Sequence, residues 1–166
     1  MSTDYFWGVD PGWANCGVCV LGNDGKVVWS AAMAPSKLGF SKTLDEMPML
    51  QYPPKRIVIE RYVAYSGAQS KYSEHILMMI GAAVDRTRGA DQLFFRAIDW
   101  KTGLVKREAK NSGFVNPSTK LDKKLSMALA QHVTGTKFKT DHEADAACLA
   151  YIGFIKDGNK EDLGGL

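Results

Sequence analysis

Cysteine is scarce. Cys16, Cys19 and Cys148 are the only three in 166 residues, too few for a disulfide framework. Cys16 and Cys19 have the C-x-x-C spacing of redox and zinc motifs, but they fall in Asn15–Leu21, which reads as a strand. Residues three apart on a strand point to opposite faces. The pair therefore cannot share a ligand, and packing is expected. No apolar run approaches the roughly 20 residues of a membrane span. Met1–Trp7 lacks the basic stretch and apolar core of a secretory signal, so a cytoplasmic location without membrane contact is expected. Glycine (16) and proline (6) are not in excess and 45% of residues are hydrophobic, which excludes a disordered chain. There is no internal repeat and no linker. One domain is expected over 1–158, followed by a loose glycine-rich tail over 159–166, and a chain of this length buries about 70% of its unfolded surface.

The small net charge of +3 hides an asymmetry. From Trp100 to Lys139 nine basic residues stand against two acids, so that stretch carries +7 and the remainder −4. Such a split fits a polyanionic partner, although a solvated lysine-rich helix would carry the same charges.

Apolar runs at Tyr5–Val9, Asn15–Leu21 and Lys26–Ala32 read as three strands, the last two joined by an Asn23-Asp24-Gly25 turn. A short helix from Ser41, a strand at Arg56–Glu60, a helix over Ser70–Arg88 and a fifth strand at Leu93–Ile98 follow. Helix-prone stretches at Lys101–Lys110, Thr119–Val133 and Thr140–Lys156 complete the chain. A meander of three strands followed by alternating helices and strands implies an α/β fold, a mixed five-stranded sheet flanked by helices.

Three acids stand out against this frame. Asp10 ends the first strand, Glu60 ends the fourth, and Asp145 lies on the last helix, where open α/β sheets place their sites. On a helical wheel Asp145 borders the apolar stripe, His142 flanks it and Glu143 faces solvent. Phosphodiester hydrolysis wants such a set, because carboxylates can hold two divalent ions that activate water and stabilise the leaving oxygen. Oxygen ligands favour Mg²⁺, or Mn²⁺ in its place, over zinc. The bland reading is that Asp10 caps a turn, Glu60 pairs with a lysine, and Asp141–Asp145 complements a helix dipole.

In order, Phe6-Trp7-Gly8-Val9-Asp10-Pro11-Gly12, Arg56-Ile57-Val58-Ile59-Glu60 and His142-Glu143-Ala144-Asp145-Ala146-Ala147 resemble the three acidic blocks of the RuvC family of Holliday junction resolvases, which have an RNase H-like fold. The resemblance implies that Asp10, Glu60 and Asp145 are catalytic metal-binding carboxylates, with His142 as the fourth member and Asp141 as its runner-up. It also implies lysines near the cleaved phosphate: Lys101 matches the first position, and Lys120, Lys123 and Lys124 compete for the second. An aromatic after Glu60 would stack on opened bases, with Tyr62 and Tyr65 as candidates, and core packing of either is the alternative. The segment Lys106–Asn116 is longer than the family pattern. The activity implied is metal-dependent endonucleolytic cleavage of branched DNA, four-way junctions above all. The acids alone would equally serve a nuclease acting on RNA–DNA hybrids, flaps or forks, and the basic stretch an inactive junction-binding module.

The run Ile76-Leu77-Met78-Met79-Ile80 is apolar all round, so its helix needs cover on more than one side. A second copy would supply it in a homodimer, as the resemblance implies. Burial inside one protomer is the alternative.

Overall fold

A computed structural model of the chain describes residues 4–62, 72–114, 120 and 122–159. Its sheet is built from β1 (Tyr5–Asp10), β2 (Cys16–Leu21), β3 (Val27–Met33), β4 (Pro54–Glu60) and β5 (Asp91–Phe95), in the order β3-β2-β1-β4-β5. The meander β1–β2–β3 is antiparallel, whereas β4 and β5 run parallel to β1. This is the mixed five-stranded sheet expected from the strand–helix order. The fifth strand is displaced from the expected Leu93–Ile98. Arg96 leaves the strand and clasps Asp99 with two hydrogen bonds, and the helix starts between them at Ala97.

Among the described residues six helices join the strands: α1 (Pro35–Leu38), α2 (Phe40–Asp45), α3 (Ser73–Arg86), α4 (Ala97–Ser112), α5 (Lys123–Thr134) and α6 (Asp141–Phe154), the last extended by a short turn over Ile155–Asn159. Strand alternation sorts the side chains into two cores. Trp7, Val9, Cys16, Val18, Ile57 and Ile59 face α2 and α3. Phe6, Cys19, Leu21 and Val58 face α4, α5 and α6. Cys16 and Cys19 thus lie in different cores, both buried and both free thiols, as their spacing on a strand requires.

Helix α6 is the centre of its layer. Residues Ala146 to Phe154 are all buried, because the sheet lies beneath them and α5 and α4 pack alongside. Two glycines allow α6 to sit this low: a Cβ on Gly8 would fall 1.9 Å from the carbonyl oxygen of Ala146, and one on Gly17 2.0 Å from that of His142. Glu143, expected to face solvent, is instead 8% exposed. It accepts a hydrogen bond from Ser30 and is locked to the N-cap Thr140. The wheel misplaced it because the β3 edge of the sheet covers that side of the first turn, where Ser30 meets the carboxylate.

Helix α3 differs. Met79 and Ala83 pack on the sheet, while Leu77 and Met78 are 55% and 60% exposed. No helix among the described residues is long and apolar enough to cross a membrane.

Candidate active site

Alternation along β1 puts Asp10 on the same face as Phe6 and Gly8, and along β4 it puts Glu60 on the face of Val58. Both carboxylates therefore turn towards the α6 layer. Val9 pairs with Ile59 in the parallel ladder, so Asp10 and Glu60 follow at the neighbouring strand ends. Helix α6 then brings His142 and Asp145 to the same place. The Nδ1 of His142 lies 2.8 Å from Asp10 Oδ2, and that bond, first of all, raises the imidazole's pKa. A carboxylate oxygen can only accept, so Nδ1–H of His142 is the donor in this pair.

The other acids are held from α4. Trp100 donates its indole N–H to Glu60 Oε2 at 2.8 Å. Lys101, the next residue, places its ammonium 2.7 Å from Asp145 Oδ2. Burial pushes Glu60 up to about 7, the charge of Asp10 adds to the rise, and the Trp100 bond opposes it. Asp145 is raised as well, by burial above all, against the lowering pull of Lys101 and of the Ser126 hydroxyl nearby. Burial disfavours the charge on Lys101, but Asp145, Glu60 and Asp10 together outweigh it, and the net shift is upward. A half-buried group in which carboxylates raise one another is short of positive charge.

Among the described residues no three His, Cys, Asp or Glu side chains form a closed metal cage; Lys101, Trp100 and His142 each engage one acid. The donor set nevertheless fits a hard divalent cation: three carboxylates, Asp10, Glu60 and Asp145, and among them one oxygen, Asp145 Oδ1, buried without a hydrogen-bond partner. Oxygen donors of this kind suit Mg²⁺ or Mn²⁺.

The remaining expected residues divide. Lys123 reaches Asp141, Nζ to Oδ2 2.6 Å, at the edge of the acids, whereas Lys120 and Lys124 are exposed. Asp141, paired in this way, has its carboxyl lowered by that bond. Tyr62 is partly buried and its hydroxyl bonds Ser73 at 2.9 Å, tying the end of β4 to the first turn of α3. Tyr65 lies outside the described residues. Sequence reasoning missed Trp100 and Ser126. Trp100 carried a signal, an aromatic directly before Lys101 on a helix with an apolar face. Ser126 carried none.

The sequence matches no protein-family model and no curated protein. Solved structures do match. RuvC of T. thermophilus in complex with a Holliday junction substrate is similar over 93% of this chain and 96% of its own, at 14% identity and a TM-score of 0.65. A second structure of Thermus thermophilus RuvC is similar over 94% of this chain and 97% of its own, at 13% identity and a TM-score of 0.63. At this identity the likeness is one of fold: the chain, a mixed five-stranded sheet between helices, has the RNase H-like fold of the RuvC structures.

Proposed function

We propose that this chain is a divalent-metal-dependent endonuclease that cuts branched DNA, with the four-way junction as its principal substrate, acting as a homodimer. The observation that carries the reading is the meeting of Asp10, Glu60 and Asp145 with Lys101 at one end of a RuvC-type sheet. Asp10, Glu60 and Asp145 would hold the metal, with His142 beside them. Two Mg²⁺ ions, or Mn²⁺ in their place, would supply an activated water and stabilisation of the leaving oxygen.

The protein's own part follows from the contacts described. Trp100 and Lys101 hold the carboxylates of Glu60 and Asp145, so the site is organised before substrate arrives. His142, oriented by Asp10 through Nδ1, keeps Nε2 for a proton exchanged with the attacking or departing oxygen. The ammonium of Lys101 stands where negative charge grows at the phosphate. Lys123, at the rim, draws the strand's backbone in.

The exposed Leu77 and Met78 on α3 fit a second copy, because a two-fold protein matches the pseudo-symmetry of a four-way junction and sets two cutting sites on it. The test is a panel of a four-way junction, a fork, a flap and an RNA–DNA hybrid with Mg²⁺, run beside Asp10→Asn. The junction should be cut best, and Asp10→Asn should be at least about 100-fold slower while still binding. Cleavage of the hybrid alone would move the chain to another nuclease class. Equal cutting by Asp10→Asn would remove the metal reading.

A further inference from the structure

Each of the three carboxylates meets a different donor, and in every case through one oxygen. Trp100 donates its indole N–H to Glu60 Oε2 at 2.8 Å. Lys101 sets its ammonium 2.7 Å from Asp145 Oδ2, and His142 Nδ1 lies 2.8 Å from Asp10 Oδ2. The second oxygens are left over. Asp145 Oδ1 is buried without a hydrogen-bond partner, and no donor among the described residues bonds Glu60 Oε1 or Asp10 Oδ1. The Ser126 hydroxyl stands near Asp145 without closing on its Oδ1.

A donor at one oxygen decides how the carboxylate can meet a cation. An oxygen that already accepts an N–H faces positive charge, partial at the indole and full at the ammonium, and a cation is repelled from it. The carboxylate is left as a ligand through one oxygen. Small cations tolerate this better than large ones. Mg²⁺ keeps several of its waters and takes one or two carboxylates, whereas Ca²⁺ gathers about six to eight oxygens and gains from carboxylates that offer both.

Trp100 is the part of this arrangement least able to move. It is fully buried, in one core with Leu104, Ala147 and Cys148, and close packing denies the ring a second orientation. Its neighbour Lys101 lies over its face, Nζ 5.0 Å from the ring centroid, and an ammonium is attracted to an indole face. One side chain therefore steadies the donors to two carboxylates. An indole N–H can only donate, so Trp100 cannot itself become a ligand.

We propose that Trp100 is a specificity-determining residue. By holding Glu60 Oε2, as Lys101 and His142 hold oxygens of Asp145 and Asp10, it restricts the site to one-oxygen carboxylate ligands and favours Mg²⁺ or Mn²⁺ over Ca²⁺. The proposal rests on the metal reading above.

The test is metal binding to the whole chain without DNA. The free-ion signal of Mn²⁺ in electron paramagnetic resonance is followed as Mg²⁺ or Ca²⁺ is added in competition. Trp100→Phe keeps an aromatic ring and the charge of the site but has no N–H. It should weaken Mg²⁺ about 10- to 100-fold, the usual effect of removing a group that orients a ligand. Ca²⁺ should weaken much less, so that the ratio of Ca²⁺ to Mg²⁺ affinity rises about 10-fold or more. An unchanged ratio in a folded variant, whether both ions weaken together or neither does, overturns the proposal and leaves Trp100 a packing residue. Should Trp100→Phe fail to fold, Lys101→Met takes its place, because it frees Asp145 Oδ2 and keeps the stem. Loss of a positive charge strengthens both ions, and the proposal requires Ca²⁺ to gain about 10-fold more than Mg²⁺; an equal gain overturns it. Wild-type protein that binds no Mn²⁺ would sink the metal reading and the proposal with it, whereas normal binding with an unmoved ratio in the variant sinks the proposal alone.

Discussion

Lys101 touches Asp145 and feels all three carboxylates, whereas Lys139 is exposed beyond α5. The two should fail in different ways. A cation beside the scissile phosphate acts mainly in the transition state, so Lys101→Ala should lower the single-turnover rate of fully bound junction by about 100-fold. Lys139→Ala should leave that rate alone and flatten the salt dependence of binding by about one contact's worth, near 0.9 in log–log slope. If Lys101→Ala lost affinity only, the ammonium would be a docking contact and nothing more. The cysteines make a second prediction at this scale. Burial pushes the Cys16 thiol up to about 12 and raises Cys19 and Cys148 as well, so almost no thiolate exists at pH 8. A thiol reagent should label none of the three in the native protein and all three in guanidinium. Rapid native labelling of Cys16 and Cys19 would contradict their burial in separate cores.

At the scale of elements, the site depends on how low α6 sits. Backbone, not side chain, meets the positions where Gly8 and Gly17 would carry a Cβ, and backbone cannot swing aside. Gly8→Ala or Gly17→Ala must therefore lift the helix that bears His142 and Asp145. Each should cost about 1–3 kcal/mol or more of stability by denaturant unfolding, and should slow cleavage even at temperatures where the protein stays folded. A Gly8→Ala enzyme of full stability and rate would show that the helix tolerates the shift. The strands were legible because β1, β2 and β4 are runs buried on both sides, bounded by turn residues, and the acids were legible as the points where such runs end. The environment of α6 was not. Its alanines and Cys148 pack as well against three neighbours as against one, and periodicity alone cannot distinguish a one-sided helix from a surrounded one, so Glu143 was placed in solvent. Trp100 and Ser126 escaped notice because their partners Glu60 and Asp145 are remote in sequence, and only the packing of α4 and α5 against α6 brings them together.

For the whole molecule, the charge split has a spatial form. The basic stretch of +7 supplies α4 and α5, on the sheet face that also carries the acids, while α3 on the opposite face presents Leu77 and Met78. On the proposed reading, chemistry and self-association fall on separate surfaces, and one can be removed without the other. Leu77→Lys should convert a dimer to a monomer in sedimentation at micromolar concentration, since a charge in the middle of an apolar contact is costly. It should keep metal-dependent nicking but lose the pairing of the two cuts. A wild-type protein that sediments as a monomer would leave that face to some other partner.

The contribution of α6 has a further consequence for the order in which the protein comes into being. A ribosome releases Asp10 and Glu60 early, and α6 only after the other five helices. Until α6 is made and docked, the two early carboxylates are without Asp145, without His142, and without the Lys101–Asp145 pair. On the proposed chemistry, a half-synthesised chain therefore has no complete cutting centre.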